Sequence, residues 1–353
     1  MSTMSFEGIE ENWQQLDPIF ILGRQRTGTS IMWRALRVAS FLGFPEGHLW
    51  YDLIKPFAWW RDPAYKAYLR QDIFTLGAGR NHLLEKQVAL LIDRFHRDLL
   101  PPETVRWVSK SPGLDPVLVA PMLAEIFPKA QFIFMKRNAI TTVHSTINYV
   151  SRERNGNIDT AFVCRYTCEN WVKVMKMWRQ LRPLIAGRYI EVAQEHIVSD
   201  PGGVACQVTD FLGASQWSEE VAGVFKSTRE NTAFPDRQVG DFIFAVDWPD
   251  EQKQTLVDIC GPEMAVWGYP LDFQHPGGPG PAKAVPAGET PLDGLSAYYR
   301  WVQEQEAKQR AYNLWQELQM YKGLLAQINQ GRVMRVLNAF GRLRKRLFRG
   351  RQL

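Results

Sequence analysis

Cysteine is scarce in this chain: four residues in 353, Cys164, Cys168, Cys206 and Cys260, at spacings that match neither a disulfide framework nor a zinc ligand set. Cys164 and Cys168 fall four apart in a helical stretch and read as small buried thiols rather than a metal pair. Long apolar runs are missing as well. No stretch reaches about 18 uninterrupted apolar residues, which excludes a membrane-spanning helix. Glu7, Glu10 and Glu11 precede any apolar run, the wrong pattern for a signal peptide, so a reducing cytoplasm is the expected location. Acid is absent beyond Glu317, where Lys322, Arg332, Arg335, Arg342, Arg344, Lys345, Arg346, Arg349 and Arg351 are the charged residues.

What is present belongs to a globular protein. A hydrophobic share of 45% and a charged share of 22% exclude disorder, collagen and a disulfide-stapled miniprotein. The length suits one large domain or two average ones. The formal charge of +5, from 42 basic against 37 acidic residues, suggests nucleic acid until its distribution is read. Without the nine basic residues beyond Glu317, the remaining 33 meet 37 acids, a balance of −4 over residues 1–317. The excess belongs to a tail, and no aromatic-interleaved basic groove accompanies it, so no nucleic-acid partner is expected.

Short apolar runs alternate with helical stretches, which predicts an α/β fold with a parallel sheet flanked by helices. Pro18–Leu22, Arg106–Val108, Gln131–Met135 and Arg188–Val192 read as strands. Helices are expected over Thr29–Ala39, Pro116–Ile126 and Asp159–Leu184. Residues 276–291 hold five prolines and four glycines and read as a linker between a domain over 1–275 and a helical arm over 292–353.

The first strand runs into Gly23-Arg24-Gln25-Arg26-Thr27-Gly28-Thr29-Ser30, the phosphate-loop pattern G-x-x-x-x-G-K-[S/T] with Thr29 in place of the lysine. Strand, glycine-bounded loop and helix are the context in which backbone N–H groups converge on an anion. Arg26 can supply the missing charge. The next strong strand ends in Lys136-Arg137 instead of a magnesium-holding Asp, so the expected ligand is a phosphate or sulfate group without a metal.

These residues resemble the sulfotransferase family, which moves sulfuryl groups from 3′-phosphoadenosine 5′-phosphosulfate (PAPS). The first family signature, a basic residue followed by S/T-G-T-[T/S], is Arg26-Thr27-Gly28-Thr29-Ser30. The second, a strand ending in Arg with Ser eight positions on, is Arg137 and Ser145. In the family this pair grips the donor's 3′-phosphate, which suits a planar guanidinium fork beside a hydroxyl. The likeness covers roughly residues 18 to 273, and Lys110–Ile147 looks especially like tyrosylprotein and bacterial sulfotransferases. Tyr189-Ile190-Glu191 through Phe211-Leu212-Gly213 resembles a later block, an acidic strand end before a helix ending in FLG. The resemblance implies a P-loop NTPase-like fold, PAPS as donor, adenosine 3′,5′-bisphosphate (PAP) as product, and no metal.

It also implies roles on the acceptor side, where a hydroxyl needs a base and the leaving oxygen needs positive charge. Glu46, 20 residues after Arg26, stands where tyrosylprotein and several bacterial members carry a catalytic Glu, with His48 as its competitor. Lys110 matches a lysine that reaches the phosphosulfate. Arg229 falls where a loop often returns over the nucleotide, although the K-G-x-x-G-x-W signature of cytosolic members is missing. Trp50, Tyr51, Phe57, Trp59, Trp60, Tyr65 and Tyr68 read first as the packing of a helical subdomain and second as the lining of an acceptor cleft.

In the arm, Ala311, Leu314, Leu318, Tyr321, Leu325 and Ile328 form a short seam over 311–328 suited to self-association or to packing back on the domain. Farther on, Val333, Val336, Leu337, Phe340, Leu343 and Leu347 share one helical face. Arg335, Arg342, Lys345, Arg346 and Arg349 occupy the other, and Arg344 intrudes on the stripe. Residues 332–349 thus have the pattern of an interfacial helix on an anionic membrane, peripheral at the inner face, or else of a solvated basic tail. The reading as a whole is a PAPS-dependent sulfotransferase acting on a glycan, a lipid-linked glycan or another alcohol or phenol. Its alternatives are a tyrosylprotein sulfotransferase, a metal-free phosphotransferase needing the absent Walker lysine, and a non-catalytic nucleotide-binding scaffold.

Overall fold

Five strands, β1 (Ile19–Gly23), β2 (Phe41–Pro45), β3 (Arg106–Lys110), β4 (Gln131–Lys136) and β5 (Tyr189–Ala193), form one parallel sheet in the order β2-β3-β1-β4-β5. The computed structural model describes residues 13–46, Ile54, 82–227, 248–281 and, with gaps, helical residues 298–322. The chain divides into two compact units, Met1–Tyr298 and Tyr299–Leu353. Within the first, the helices are α1 (Thr29–Leu36), α2 (His82–Leu99), α3 (Leu114–Leu118), α4 (Ala120–Ile126), α5 (Ala139–Glu153), α6 (Thr160–Leu181), α7 (Gln194–Ser199), α8 (Pro201–Leu212), α9 (Ser218–Ser227) and α10 (Asp250–Val266).

Parallel strands need crossovers, and the crossovers bury both faces of the sheet. That explains why β1 is an unbroken apolar run, with Ile19 to Leu22 at most 2% exposed. One face is aliphatic: Ile19, Ile21, Val108, Ile133, Met135 and Val192 meet Met32 and Leu36 of α1 together with Val204, Val208, Val221 and Phe225 of α8 and α9. The other is aromatic. Phe20 stacks on Phe132 at 5.3 Å and meets Trp107 edge-on at 5.7 Å, while Phe134 lies flat against Trp178 at 4.5 Å.

All four expected strands are present, and β2 is a fifth. The helix expected over Pro116–Ile126 is two, α3 and α4, meeting at Val119. Pro121 has no N–H to bond Val117 and falls in the first turn of α4, the position where a helix start tolerates that loss. The long helix is α6, capped by Asp159, whose carboxylate accepts from Phe162 N at 3.0 Å; Pro183 falls in the 3-10 turn that follows Leu181. Of the expected linker, residues 276–281 are described and fold back, with Gly280 N donating to Gly268 O at 2.9 Å. Among the described residues no helix is long and apolar enough to cross a membrane.

Candidate active site

The connection from β1 leads outward past β3 to the edge strand β2, whereas that from β3 crosses β1 to reach β4. The two diverge at the carboxyl end of β1, the place where open α/β sheets take their ligands. Every strand delivers something to that rim. In spatial order these are Glu46 after β2, Lys110 at the end of β3, the Gly23–Ser30 loop after β1, Arg137 after β4 and Glu195 just beyond β5.

The loop takes its shape from backbone conformations that few residues tolerate. Gly23 has φ 138°, and a β-carbon there would lie 2.4 Å from Met135 O. Gly28, at φ 93°, caps α1 without any side-chain hydrogen bond, so no side chain competes for the first N–H groups of the helix. Thr27 Oγ1 donates to Arg24 O at 2.6 Å and closes the turn. Arg26 (φ 71°) and Glu46 (φ 69°) are both left-handed non-glycine residues. Each carries a strain on the order of 1–2 kcal/mol, of the sort that concentrates where geometry serves a ligand.

The sequence offers Arg26 for the loop's missing positive charge and the family resemblance offers Lys110; of the two, it is Lys110 that lies against Ser30. Lys110 lies beside Ile21 in the pairing of β3 with β1, and Ser111 N and Gly113 N extend that pairing to Ile21 O and Gly23 O at 3.2 and 2.8 Å. The buried Lys110 Nζ is thereby 3.3 Å from Ser30 Oγ and 3.0 Å from Glu46 Oε1. Glu46 N donates to Lys110 O at 2.7 Å, so backbone and side chain fix the pair together, with the carboxylate 57% exposed.

Arg26 turns the other way. Its Nε donates to Ser145 Oγ at 3.0 Å, and its guanidinium lies 5.0 Å from the centre of the Tyr149 ring. Arg137 completes this side, donating from Nε to Thr141 Oγ1 at 2.9 Å and from Nη1 to Arg26 O at 3.0 Å. Burial pushes Arg137 down to about 10, partly offset by facing Glu195 and reinforced by facing Arg26. The sequence-predicted residues therefore form two groups joined by the loop, Ser30–Lys110–Glu46 and Arg26–Arg137–Ser145. His48 and Arg229 lie outside the described residues, as do the aromatics from Trp50 to Tyr68 and residues 332–349.

Several residues at the site were not anticipated. Arg24 is 4% exposed and turned inward, with Nη1 on Thr146 Oγ1 at 3.2 Å. Asn138 caps α5, accepting from Ile140 N at 2.9 Å, while its Nδ2 donates to Pro270 O at 3.2 Å and Gly277 O at 3.1 Å. An Asn directly after a strand is a readable helix start; its reach to residues 270 and 277 is not. The acidic strand end, Glu191, belongs to the scaffold. Burial raises its carboxyl, but Lys136 and Arg182 beside it outweigh that and hold it below the ordinary value. Of the two acids Glu191 and Glu195, the one that faces Arg137 is Glu195. Among the described residues no group of three or more His, Cys, Asp and Glu is arranged to hold a metal.

Comparison with known proteins bears on this arrangement. A family model described as the sulfotransferase family matches residues 18–219, more than half the chain. A search of curated proteins finds no match. Among solved structures, a sulfotransferase of Mycobacterium avium is 13% identical, with 74% of this chain and 78% of that one covered and a TM-score of 0.46. A sulfotransferase of Alicyclobacillus acidocaldarius is 14% identical, covering 70% and 93% with a TM-score of 0.41. A mouse sulfotransferase solved with PAP is 14% identical, covering 74% and 92% with a TM-score of 0.39. On the family match across more than half its length, this chain belongs to the sulfotransferase family.

Proposed function

We propose that the chain transfers a sulfuryl group from PAPS to a hydroxyl of a glycan, a lipid-linked glycan or another alcohol or phenol. The observation that carries the reading is Lys110 Nζ, shared between Glu46 at 3.0 Å and Ser30 at 3.3 Å beside an uncapped helix start. The fit to a donor with two phosphate ends rests on the loop and on Arg137–Ser145. These stand on neighbouring strand ends, which are about 5 Å apart in a sheet. PAPS supplies the sulfuryl group and an oxygen, bridging phosphorus and sulfur, that accepts the electron pair as the sulfur–oxygen bond breaks. Backbone N–H groups of residues 28–30 and the Ser30 hydroxyl hold the phosphosulfate end. Arg137 and Ser145 hold the 3′-phosphate.

Lys110 then has a purpose in both states. Before the donor binds it is the counter-charge of Glu46; afterwards its ammonium turns to the bridging oxygen and stabilises the charge developing there. Glu46, released from its partner, accepts the proton of the acceptor hydroxyl as that oxygen attacks sulfur in line. Arg26 adds positive charge from the far side of the loop.

In calorimetry Arg137→Ala should weaken PAP binding by about tenfold or more, the scale of a lost charge-assisted hydrogen bond. Glu46→Gln should abolish turnover of sulfur-labelled PAPS on pooled glycan, lipid and tyrosine-peptide acceptors while sparing PAP binding. Unchanged affinity in the first variant overturns the donor site. Loss of turnover confined to His48→Ala would move the base from Glu46 to His48.

A further inference from the structure

The carboxyl end of β5 brings an acid beside the arginine of the donor site. Glu195, in the first turn of α7, accepts from Asn138 N at 2.8 Å. Asn138 directly follows Arg137, so the carboxylate fixes the peptide from which the arginine side chain departs. Glu195 is half-buried as a residue, but its second oxygen, Oε2, is itself buried and has no hydrogen-bond partner among the described residues. The charged groups facing it are Arg137 and Lys136 from the end of β4, with Tyr269 facing it from the segment after α10. Tyr269 Oη is likewise buried with no partner. His196 follows on the same helix and packs on the backbone near Gly278.

Two anions cannot both sit in low dielectric around one guanidinium without cost. In the free protein burial pushes the Glu195 carboxyl upward, and Arg137 and Lys136 are the countercharges that oppose this and favour its ionised form. A phosphate arriving on Arg137 takes over that arginine and adds negative charge of its own. The carboxylate is the group that yields, because Oε2 is free to carry a hydrogen.

We infer that Glu195 is the positioning residue of Arg137 in 3′-phosphate binding, and that its carboxylate takes up one proton from solvent when the phosphate binds. This rests on the donor reading proposed above. The sign follows from linkage: a ligand whose binding raises a carboxyl's pKa binds more weakly as pH rises through the pKa of the free protein. The 3′-phosphate has its own titration, so the informative quantity is the difference between the wild-type chain and Glu195→Gln. That variant keeps an oxygen acceptor for Asn138 N and removes the titrating group.

The test is PAP binding by calorimetry between about pH 5 and 7.5 in buffers of low and high ionisation enthalpy. Expected is an uptake of protons by wild type exceeding that of Glu195→Gln by up to about one per PAP bound, with Glu195→Asp restoring part of it. A residue that only held the fold would lower the melting temperature and leave this difference at zero. A zero difference with intact PAP binding in both proteins overturns the inference and leaves the donor reading standing. Absence of PAP binding by wild type overturns both. Should Glu195→Gln fail to fold, infrared difference spectra of the wild-type chain serve instead. PAP should then raise a protonated-carboxyl band that is missing without it, and no new band overturns the inference.

Discussion

Arg24 is 4% exposed, and the titratable groups around it are Cys168, Tyr166, Cys260 and Arg26, with no carboxylate among them. Burial lowers its pKa to about 10, the surrounding Cys168, Tyr166 and Cys260 offset this only in part, and Nε has no hydrogen-bond partner. An unpaired buried charge costs stability, and an apolar residue of similar length removes the cost. Such an arrangement persists where positive potential serves a ligand, here beneath a loop suited to an anion. Arg24→Met should therefore raise the melting temperature, by about 2–4 °C for each kcal/mol recovered, while weakening PAP binding several-fold. A loss of both stability and affinity would mean that Arg24 supports the loop through packing and its bond to Thr146. The residue scale is also where the sequence was most readable. Arg26, Ser30, Arg137 and Ser145 stand in local motifs, because strand ends and loop glycines are local in sequence, whereas Lys110 and Glu46 were indicated by the family resemblance. What stayed hidden was direction. Arg26 turns to Ser145 and Lys110 fills the lysine's place, since the register of β3 on β1 decides which ammonium reaches the loop.

Elements were legible where their apolar period was clean. In β2 the five residues Phe41–Pro45 include Gly43, which lies against Val108 so closely that a β-carbon would come within 1.7 Å of its carbonyl oxygen. That glycine is demanded by the neighbouring strand, and from sequence alone it reads as a turn. In α2 the buried Ala89, Ile92 and His96 share the helix with the exposed Leu91, Phe95 and Leu99, so residue type alone does not say which of its apolar side chains face the interior. Packing of α6 on α10 was equally invisible, because its decisive contact joins residues 84 apart. Arg179 Nε and Nη2 donate to Glu263 Oε1 and Oε2 at 3.2 and 3.0 Å, and Trp267 Nε1 adds a third bond at 2.8 Å. With side chains 7% and 3% exposed, breaking the pair strands a charge in the interior. Glu263→Ala should cost about 3–5 kcal/mol in urea unfolding, whereas Arg179→Met with Glu263→Met should cost far less. Equal losses would show that the bonds, not the stranded charge, set the penalty.

At the scale of the whole molecule, the distribution of charge separates two tasks. Residues 1–317 carry a balance of −4, yet Arg24, Arg26, Lys110 and Arg137 gather at one sheet edge. A field that local reaches a bound nucleotide and fades within a Debye length of about 8 Å in physiological salt. The remaining positive charge lies in the other compact unit, Tyr299–Leu353, and eight basic residues fall within 332–351. Residues 323–353 lie outside the described set; their sequence sets an apolar stripe opposite a basic face. Each basic residue near an anionic surface is worth about 1 kcal/mol, and the stripe adds insertion energy that salt does not screen. Removing residues 332–353 should therefore abolish co-sedimentation with vesicles containing phosphatidylserine and leave PAP affinity within about twofold, since no donor-site cation is lost. The full chain should release from those vesicles as salt rises, and should not bind purely zwitterionic ones. Vesicle binding that survives the deletion would place the membrane contact in residues 1–331. A deletion that also weakened PAP binding would show that the basic arm belongs to the donor site after all.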